Sequence, residues 1–109
     1  MKKYLVLYMA PIEVMDKMMK ESSPEDMKKG MDEWMEWAKK HPEIADIGAP
    51  LGKNKRVTKE GISDVRNDVG GYSFVEAESQ EAAAKVFAGS PHFELPGAYV
   101  EVMECVKMQ

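Results

Sequence analysis

Histidine is the side chain best suited to acid–base chemistry near neutral pH, and the 109-residue chain has two histidines. His92 is the stronger candidate, because it lies beside the end of a predicted helix and directly before Phe93, where its imidazole can act as a general acid or base. A lone histidine after Ser-Pro more often hydrogen-bonds a loop carbonyl, so both roles stay open. His41 ends another predicted helix, where partial positive charge is favourable, and we interpret it as a capping residue.

A second candidate group lies in the polar segment 59–71. Asp64 can supply a carboxylate base and Arg66 a guanidinium clamp for an anionic substrate, if this segment folds over the mouth of a pocket. A solvated turn is the simpler interpretation of the same residues.

Aromatic side chains form a third candidate group, because they could line a cavity between a helix and the sheet. Their hydroxyl and indole groups would then orient a small aromatic or carbonyl ligand. Packing in the core explains these residues equally well. They are Tyr4, Tyr8, Tyr72 and Trp34.

The sequence predicts neither a metal nor another cofactor. The chain has 10 methionines, which could bind a soft metal, but five of them recur at the helical period typical of core residues: Met15, Met19, Met27, Met31 and Met35. The single cysteine, Cys105, cannot form an internal disulfide and lacks the paired spacing of a zinc site. This usage indicates a reducing compartment, and we expect a cytoplasmic protein.

The composition is that of one folded domain spanning residues 1–109. Its hydrophobic share of 44% and charged share of 31% are ordinary for a globular protein. The net charge of −4 disfavours binding to nucleic acid. No run approaches the roughly 20 apolar residues that a membrane span needs. We therefore expect neither a nucleic acid nor a membrane as a partner.

The predicted elements follow the order β-α-β-β-α-β. Residues 23–26 (Ser-Pro-Glu-Asp) are a strong helix start, since the serine oxygen can accept an orphan amide and the acids face the positive end of the helix dipole. An apolar stripe of Met27, Met31, Trp34, Met35 and Ala38 follows and is predicted to pack on a sheet. The predicted strands are 3–9, 44–51, 72–77 and 98–106, and residues 55–58 are predicted to fold back as an extension of the same sheet. The predicted helices are 24–40 and 79–89, with a helical turn or two after Pro11. Residues 59–71 are predicted to be the longest irregular segment.

This order predicts an α+β domain of the ferredoxin-like plan, in which two helices cover one face of a four-stranded antiparallel sheet. The first strand is apolar on both faces: Leu5 and Leu7 alternate with Tyr4, Val6 and Tyr8. Because two helices cannot cover both faces, we expect the other face to meet a second copy of the chain in a homodimer.

Several motifs follow one another in a recognisable order. They are the opening Lys-Tyr-Leu-Val-Leu-Tyr, the Pro-Glu-Asp-Met helix start with its paired Trp, Gly48, Pro50-Leu51-Gly52, Gly70-Gly71-Tyr72, Glu76-Ala77-Glu78-Ser79 with Glu81-Ala82-Ala83, Pro91-His92, and Val100-Glu101-Val102-Met103. In these motifs, over nearly its whole length, the chain resembles the YCII-related proteins of the dimeric α/β-barrel superfamily. The resemblance implies a homodimer in which two sheets face each other.

The chain differs from that family at a His-Asp dyad that some members carry. The family histidine lies on the first long helix, but residues 24–40 contain none, and Ser90 stands where the aspartate would precede Pro91. The dyad is therefore not carried over. Another branch has Asp-Gly-Pro-Phe before the Gly-Gly-Tyr strand, and the corresponding residues 62–66 keep at most Asp64.

Two functional hypotheses follow. The first is a homodimeric domain that binds a small molecule or acts as a cofactor-independent enzyme, as the resemblance implies, with its site in a cavity between the helices and the sheet. The alternative is a non-catalytic dimeric accessory or sensor module, which the missing dyad favours. A cavity that holds His92 together with a carboxylate or Arg66 would favour the enzyme, and a filled core would favour the module.

Overall fold

The computed structural model describes residues 1–108 as an α+β fold built on a four-stranded antiparallel sheet. The sheet consists of β1 (Lys2–Met9), β2 (Ile44–Pro50), β5 (Val69–Ala77) and β6 (Tyr99–Glu104), in the order β2-β5-β1-β6. The two central strands, β1 and β5, pair along their full length from Lys2 opposite Ala77 to Met9 opposite Val69. This strand order is compatible with the predicted ferredoxin-like plan, and the predicted four-stranded antiparallel sheet is confirmed.

The core lies between one face of the sheet and the helices. The alternation of β1 places Tyr4, Val6 and Tyr8 on the helix side, where each is 6% exposed or less. Val75 of β5 and Phe87, just beyond the last helix, close the same cluster. Because one strand supplies three of its large members, β1 fixes the position of the whole core.

Three α-helices accompany the sheet: α1 (Ile12–Glu21), α2 (Pro24–Lys39) and α3 (Gln80–Lys85), followed by one 3-10 turn at Pro91–Glu94. The predicted start of α2 is confirmed by a capping box, in which Ser23 Oγ accepts from the amide of Asp26 and the Asp26 carboxylate accepts from the amide of Ser23. The helix predicted from residue 79 begins in the same way, because Ser79 Oγ accepts from the amide of Ala82. No helix among the described residues is long and apolar enough to cross a bilayer.

Two predictions about the helices were wrong. The segment after Pro11 forms a ten-residue helix, α1, where we predicted only a turn or two. The methionines of α2 do not pack on the sheet, since Met27, Met31 and Met35 are 47%, 48% and 43% exposed. Trp34 and Trp37 reach the core instead. The apolar stripe therefore includes the side of α2 that faces the core, but of its residues and their neighbours it is the two tryptophans that pack there.

The prediction for residues 55–71 was also wrong. Strand β3 (Asn54–Thr58) does not extend the main sheet, and it pairs with β4 (Gly61–Val65) in a separate two-stranded hairpin. The segment predicted as irregular therefore contains β4 and the beginning of β5. The side chains of the hairpin are mostly exposed, for example Val57 at 73% and Ile62 at 71%. The sequence therefore had no apolar alternation there from which to predict the strands.

The face of the sheet opposite the helices carries an apolar strip. Cross-strand pairs place Leu5 beside Phe74 and Met103, and Leu7 beside Tyr72. Met103 is 41% exposed, and the other four are half-buried. Lys3 lies over the Phe74 ring at 4.5 Å. The prediction that the first strand is apolar on both faces is confirmed for β1.

Candidate functional site

A cavity of about 510 Å³ lies between α1, α2 and the sheet, at the end where β1 leaves the core. Its walls are mostly apolar, and methionine is the commonest large residue in them. The residues that line it are Tyr8, Met15, Met18, Gly30, Met31, Trp34, Met35, Ile47, Gly48, Ala49, Pro50, Gly70, Gly71, His92 and Leu95. This volume and character are those of a site for a small organic molecule.

Tyr8 is one of the two titratable side chains in the wall. Its hydroxyl lies 2.8 Å from Ser73 Oγ, and Ser73 Oγ in turn donates to the Ile47 carbonyl at 2.6 Å. A serine hydroxyl has one proton, and Ser73 gives it to a carbonyl, so the Tyr8 hydroxyl must be the donor in its bond to Ser73. Burial raises the pKa of Tyr8 to about 12. Tyr8 is therefore protonated at neutral pH.

His92 is the second titratable side chain in the wall, and the 3-10 turn holds it there. Ser90 Oγ accepts from the His92 amide at 3.2 Å, which fixes the start of the turn. The ring atom Nε2 lies 2.7 Å from the Met9 carbonyl oxygen. Since a carbonyl only accepts, Nε2 carries a proton, and in the neutral ring Nδ1 is the unprotonated nitrogen. The sequence left two roles open for His92, a loop hydrogen bond and a functional group. In the structure His92 both hydrogen-bonds a main-chain carbonyl and lines the cavity.

An aromatic cluster forms the inner wall. The ring of Tyr8 contacts the ring of Trp34 edge-on, with centroids 4.8 Å apart and planes at 82°, and the His92 ring at 5.5 Å. Phe87 lies behind Tyr8 at 5.9 Å. Edge-to-face contacts of this kind fix ring orientation. Tyr8 is therefore held by rings around it and by a hydrogen bond at its hydroxyl.

Glycines form the part of the wall nearest the sheet edge. Gly48 has a φ of 71°, and a Cβ there would lie 2.0 Å from the Tyr72 carbonyl oxygen, so no other residue fits. A Cβ on Gly70 would lie 2.9 Å from Met15 Sδ. These residues let α1 and the β2 edge approach β5 closely. Gly70 and Gly71, which were predicted to end the irregular segment 59–71, are thus part of a strand and of the cavity wall.

The structure brings together three of the six predicted site residues. Tyr8, Trp34 and His92 line the cavity, but Tyr72 lies on the opposite face of the sheet beside Leu7. Asp64 is in the exposed hairpin, where it pairs with Lys55. Arg66 follows the hairpin and pairs with Asp16 of α1, Nη2 to Oδ1, at 2.6 Å. The polar segment therefore does not bring a carboxylate or a guanidinium to His92.

Sequence reasoning missed several residues of the site. Met15 and Met31 were assigned to the core although they line the cavity, and Met18, Gly30 and Ser73 were not considered. A glycine inside an amphipathic helix, such as Gly30, was the one available signal, because it marks a position where a side chain is missing. The role of Ser73 had no signal, since it depends on a partner 65 positions away.

Among residues 1–108, no group of three or more histidine, cysteine, aspartate or glutamate side chains could hold a metal ion. The polar groups of the cavity itself are suited to hydrogen bonding. The chain matches no protein-family model and has no significant match among curated proteins.

Proposed function

We propose that the chain is a small-molecule-binding domain whose ligand occupies the cavity between α1, α2 and the sheet. The observation that carries the proposal is the cavity itself: about 510 Å³, walled by methionines, Trp34 and glycines, with Tyr8 and His92 as its titratable groups. Methionine side chains adapt to varied apolar shapes, which suits a binding wall. An apolar ligand would also bury side chains such as Met31 and Met35, which are 48% and 43% exposed.

Gly30 supports the proposal independently. It lies in the middle of α2, where glycine costs about 0.5 to 1 kcal/mol relative to alanine. A Cβ built there would meet nothing within 4 Å, so packing against the protein does not require a glycine. Its position in the cavity wall supplies a reason, because a larger side chain would enter the space that we assign to the ligand.

Cofactor-independent acid–base catalysis is the second candidate function. It is favoured by one observation, the His92 ring whose Nε2 is engaged by the Met9 carbonyl while Nδ1 is left to accept a proton. A carbonyl orients the ring but cannot stabilise an imidazolium as a carboxylate does. The described residues of the wall include no aspartate, glutamate, lysine or arginine. Binding is therefore the better-supported function.

We further propose that the domain works as a homodimer related to the YCII-like dimeric α/β barrels. The apolar strip of Leu5, Leu7, Tyr72, Phe74 and Met103 supports this, since it continues across three strands. Two such strips facing each other would bury both. The motifs quoted above and the compatible strand order support the family relationship.

Replacement of Gly30 tests the binding function. Gly30→Ala is expected to raise the free energy of unfolding by about 0.5 to 1 kcal/mol and to leave space for a ligand. Gly30→Leu is expected to fold equally well and to fill the cavity, so that it no longer binds naphthalene in a titration followed by tryptophan fluorescence and by methionine methyl NMR signals. Equal naphthalene binding by Gly30→Leu and wild type, or no binding by wild type, would overturn the proposal.

A further inference from the structure

Two polar side chains of the cavity wall, Tyr8 and His92, have no free proton to give to a ligand, although the Trp34 indole N–H in the same wall can still donate. Tyr8 gives its proton to Ser73, and His92 gives its Nε2 proton to the Met9 carbonyl. The Gly48 amide, also in the wall, donates to Asp46 Oδ1 at 2.9 Å. Each of these donors already has an acceptor within the protein.

The same two side chains keep acceptor capacity. The phenol oxygen of Tyr8 has lone pairs left after donating, and Nδ1 of a neutral His92 has one. In the part of the chain that the structure describes, Nδ1 has no hydrogen-bond partner, and no buried side-chain nitrogen or oxygen is unpartnered. Nδ1 is therefore accessible. The Tyr8 and His92 rings lie 5.5 Å apart and line the same cavity.

We infer that the ligand is a largely apolar, ring-containing molecule whose polar end is a hydrogen-bond donor, such as an aromatic alcohol. This inference rests on the proposed binding function. A ligand with only a carbonyl or ether oxygen at that end would face the lone pairs of Tyr8 and His92, and would leave these two acceptors without a donor in an apolar cavity. An unpartnered polar group of this kind lowers affinity. The rings of Trp34 and Tyr8 and the methionine sulfurs are suited to contact an aromatic body.

Ser73 determines which hydroxyl donates in the Tyr8–Ser73 hydrogen bond, and replacing Ser73 therefore tests the inference. Without the Ser73 hydroxyl, Tyr8 has no acceptor there, and its proton becomes available to a ligand. Ser73→Ala should therefore reverse the role of Tyr8 from acceptor to donor while changing little of the cavity shape. Ser79→Ala is the control, because it removes a serine hydroxyl that caps α3 and does not line the cavity.

The experiment compares three probes of one shape by titration calorimetry: naphthalene, β-naphthol and the methyl ether of β-naphthol. For wild type we expect β-naphthol to bind about fivefold tighter than its ether, the value of one neutral hydrogen bond. In Ser73→Ala this ratio should fall towards one, because Tyr8 can then donate to the oxygen of either probe, and in Ser79→Ala it should stay near the wild-type value. Comparing ratios between variants removes differences in probe hydration.

The outcomes separate the two proposals. If all three probes bind wild type equally, the cavity binds apolar molecules but the donor preference is wrong. If the ratio is the same in wild type and Ser73→Ala, the assigned proton order is wrong. If none of the three binds wild type, the binding function fails, and the donor preference fails with it.

Discussion

The hydroxyl of Tyr8 and the hydroxyl of Ser73, 65 positions apart in the chain, lie 2.8 Å from each other inside the core. Tyr8 is 6% exposed and Ser73 is fully buried. The bond satisfies a polar group on each central strand, so neither hydroxyl is left unpartnered. This contact connects the stability of the sheet to the ionisation of one residue.

Tyr8 should make the protein sensitive to alkali. Its pKa is about 12 in the folded protein against 10.0 for an ordinary tyrosine, so the unfolded state loses the Tyr8 proton first as pH rises. The resulting stability is fully present below pH 10 and is lost as pH rises towards 12. Its size is about 1 to 3 kcal/mol. Denaturant unfolding at a series of alkaline pH values should show a steeper loss for wild type than for Tyr8→Phe. Tyr72→Phe, on the other sheet face, should behave as wild type, and identical slopes for Tyr8→Phe and wild type would contradict the assignment.

Trp37 should matter to stability at least as much as Trp34. Both are half-buried against the core, and Trp37 packs on Phe87 with centroids 5.5 Å apart, while one side of Trp34 faces the cavity. Replacing either by alanine should lower the free energy of unfolding by about 2 to 4 kcal/mol, which is below the largest losses seen when a fully buried aromatic is removed. Only Trp34→Ala should also weaken binding of an aromatic probe. Chemical denaturation of both variants measures which one loses more stability. A loss of stability in Trp34→Ala alone would contradict this prediction.

The apolar strip should control the association state. Leu7→Glu places a charge at its centre and should convert a dimer to a monomer in light scattering, because the association would otherwise bury an unpaired charge. Far-ultraviolet circular dichroism should be unchanged, since Leu7 points away from the core. Ile62→Glu is the control, because Ile62 is 71% exposed in the hairpin and should leave the mass unaltered. A monomeric mass for wild type at micromolar concentration would refute the dimer.

Asp64 and Arg66 should be dispensable for ligand binding. Asp64 pairs with Lys55 in the exposed hairpin, and Arg66 pairs with Asp16, whose pKa is lowered mainly by that hydrogen bond. Asp64→Asn and Arg66→Ala should bind β-naphthol within about twofold of wild type, because exposed ion pairs contribute little free energy. Arg66→Ala should also raise the pKa of Asp16, observable by carboxyl NMR titration. A large loss of affinity in either variant would show that the hairpin reaches the cavity.

The sequence was most informative where one short segment decides its own conformation. The helix start at Ser23, the helix start near Ser79 and the alternation of β1 are local features, and each was found where predicted. The hairpin of β3 and β4 was missed because its strands pair through main-chain hydrogen bonds while its side chains remain in water. No burial pattern existed there for the sequence to reveal.

In the candidate site, too, some features follow from residue type and others from the tertiary structure. Residue type alone singled out His92, Trp34 and Tyr8 as able to bind or react, because imidazole, indole and phenol chemistry do not depend on the fold. Their meeting in one cavity depends on contacts between α2, β1 and the turn at Pro91–Glu94. Ser73 shows the limit most clearly, because its one proton goes to Ile47 and thereby sets the direction of the Tyr8 hydrogen bond. The sequence by itself determined the strands of the main sheet, the start of α2 and the side chains able to do chemistry. Only the tertiary structure decided which of them share a cavity and where their protons lie, because both depend on distances between segments far apart in the chain.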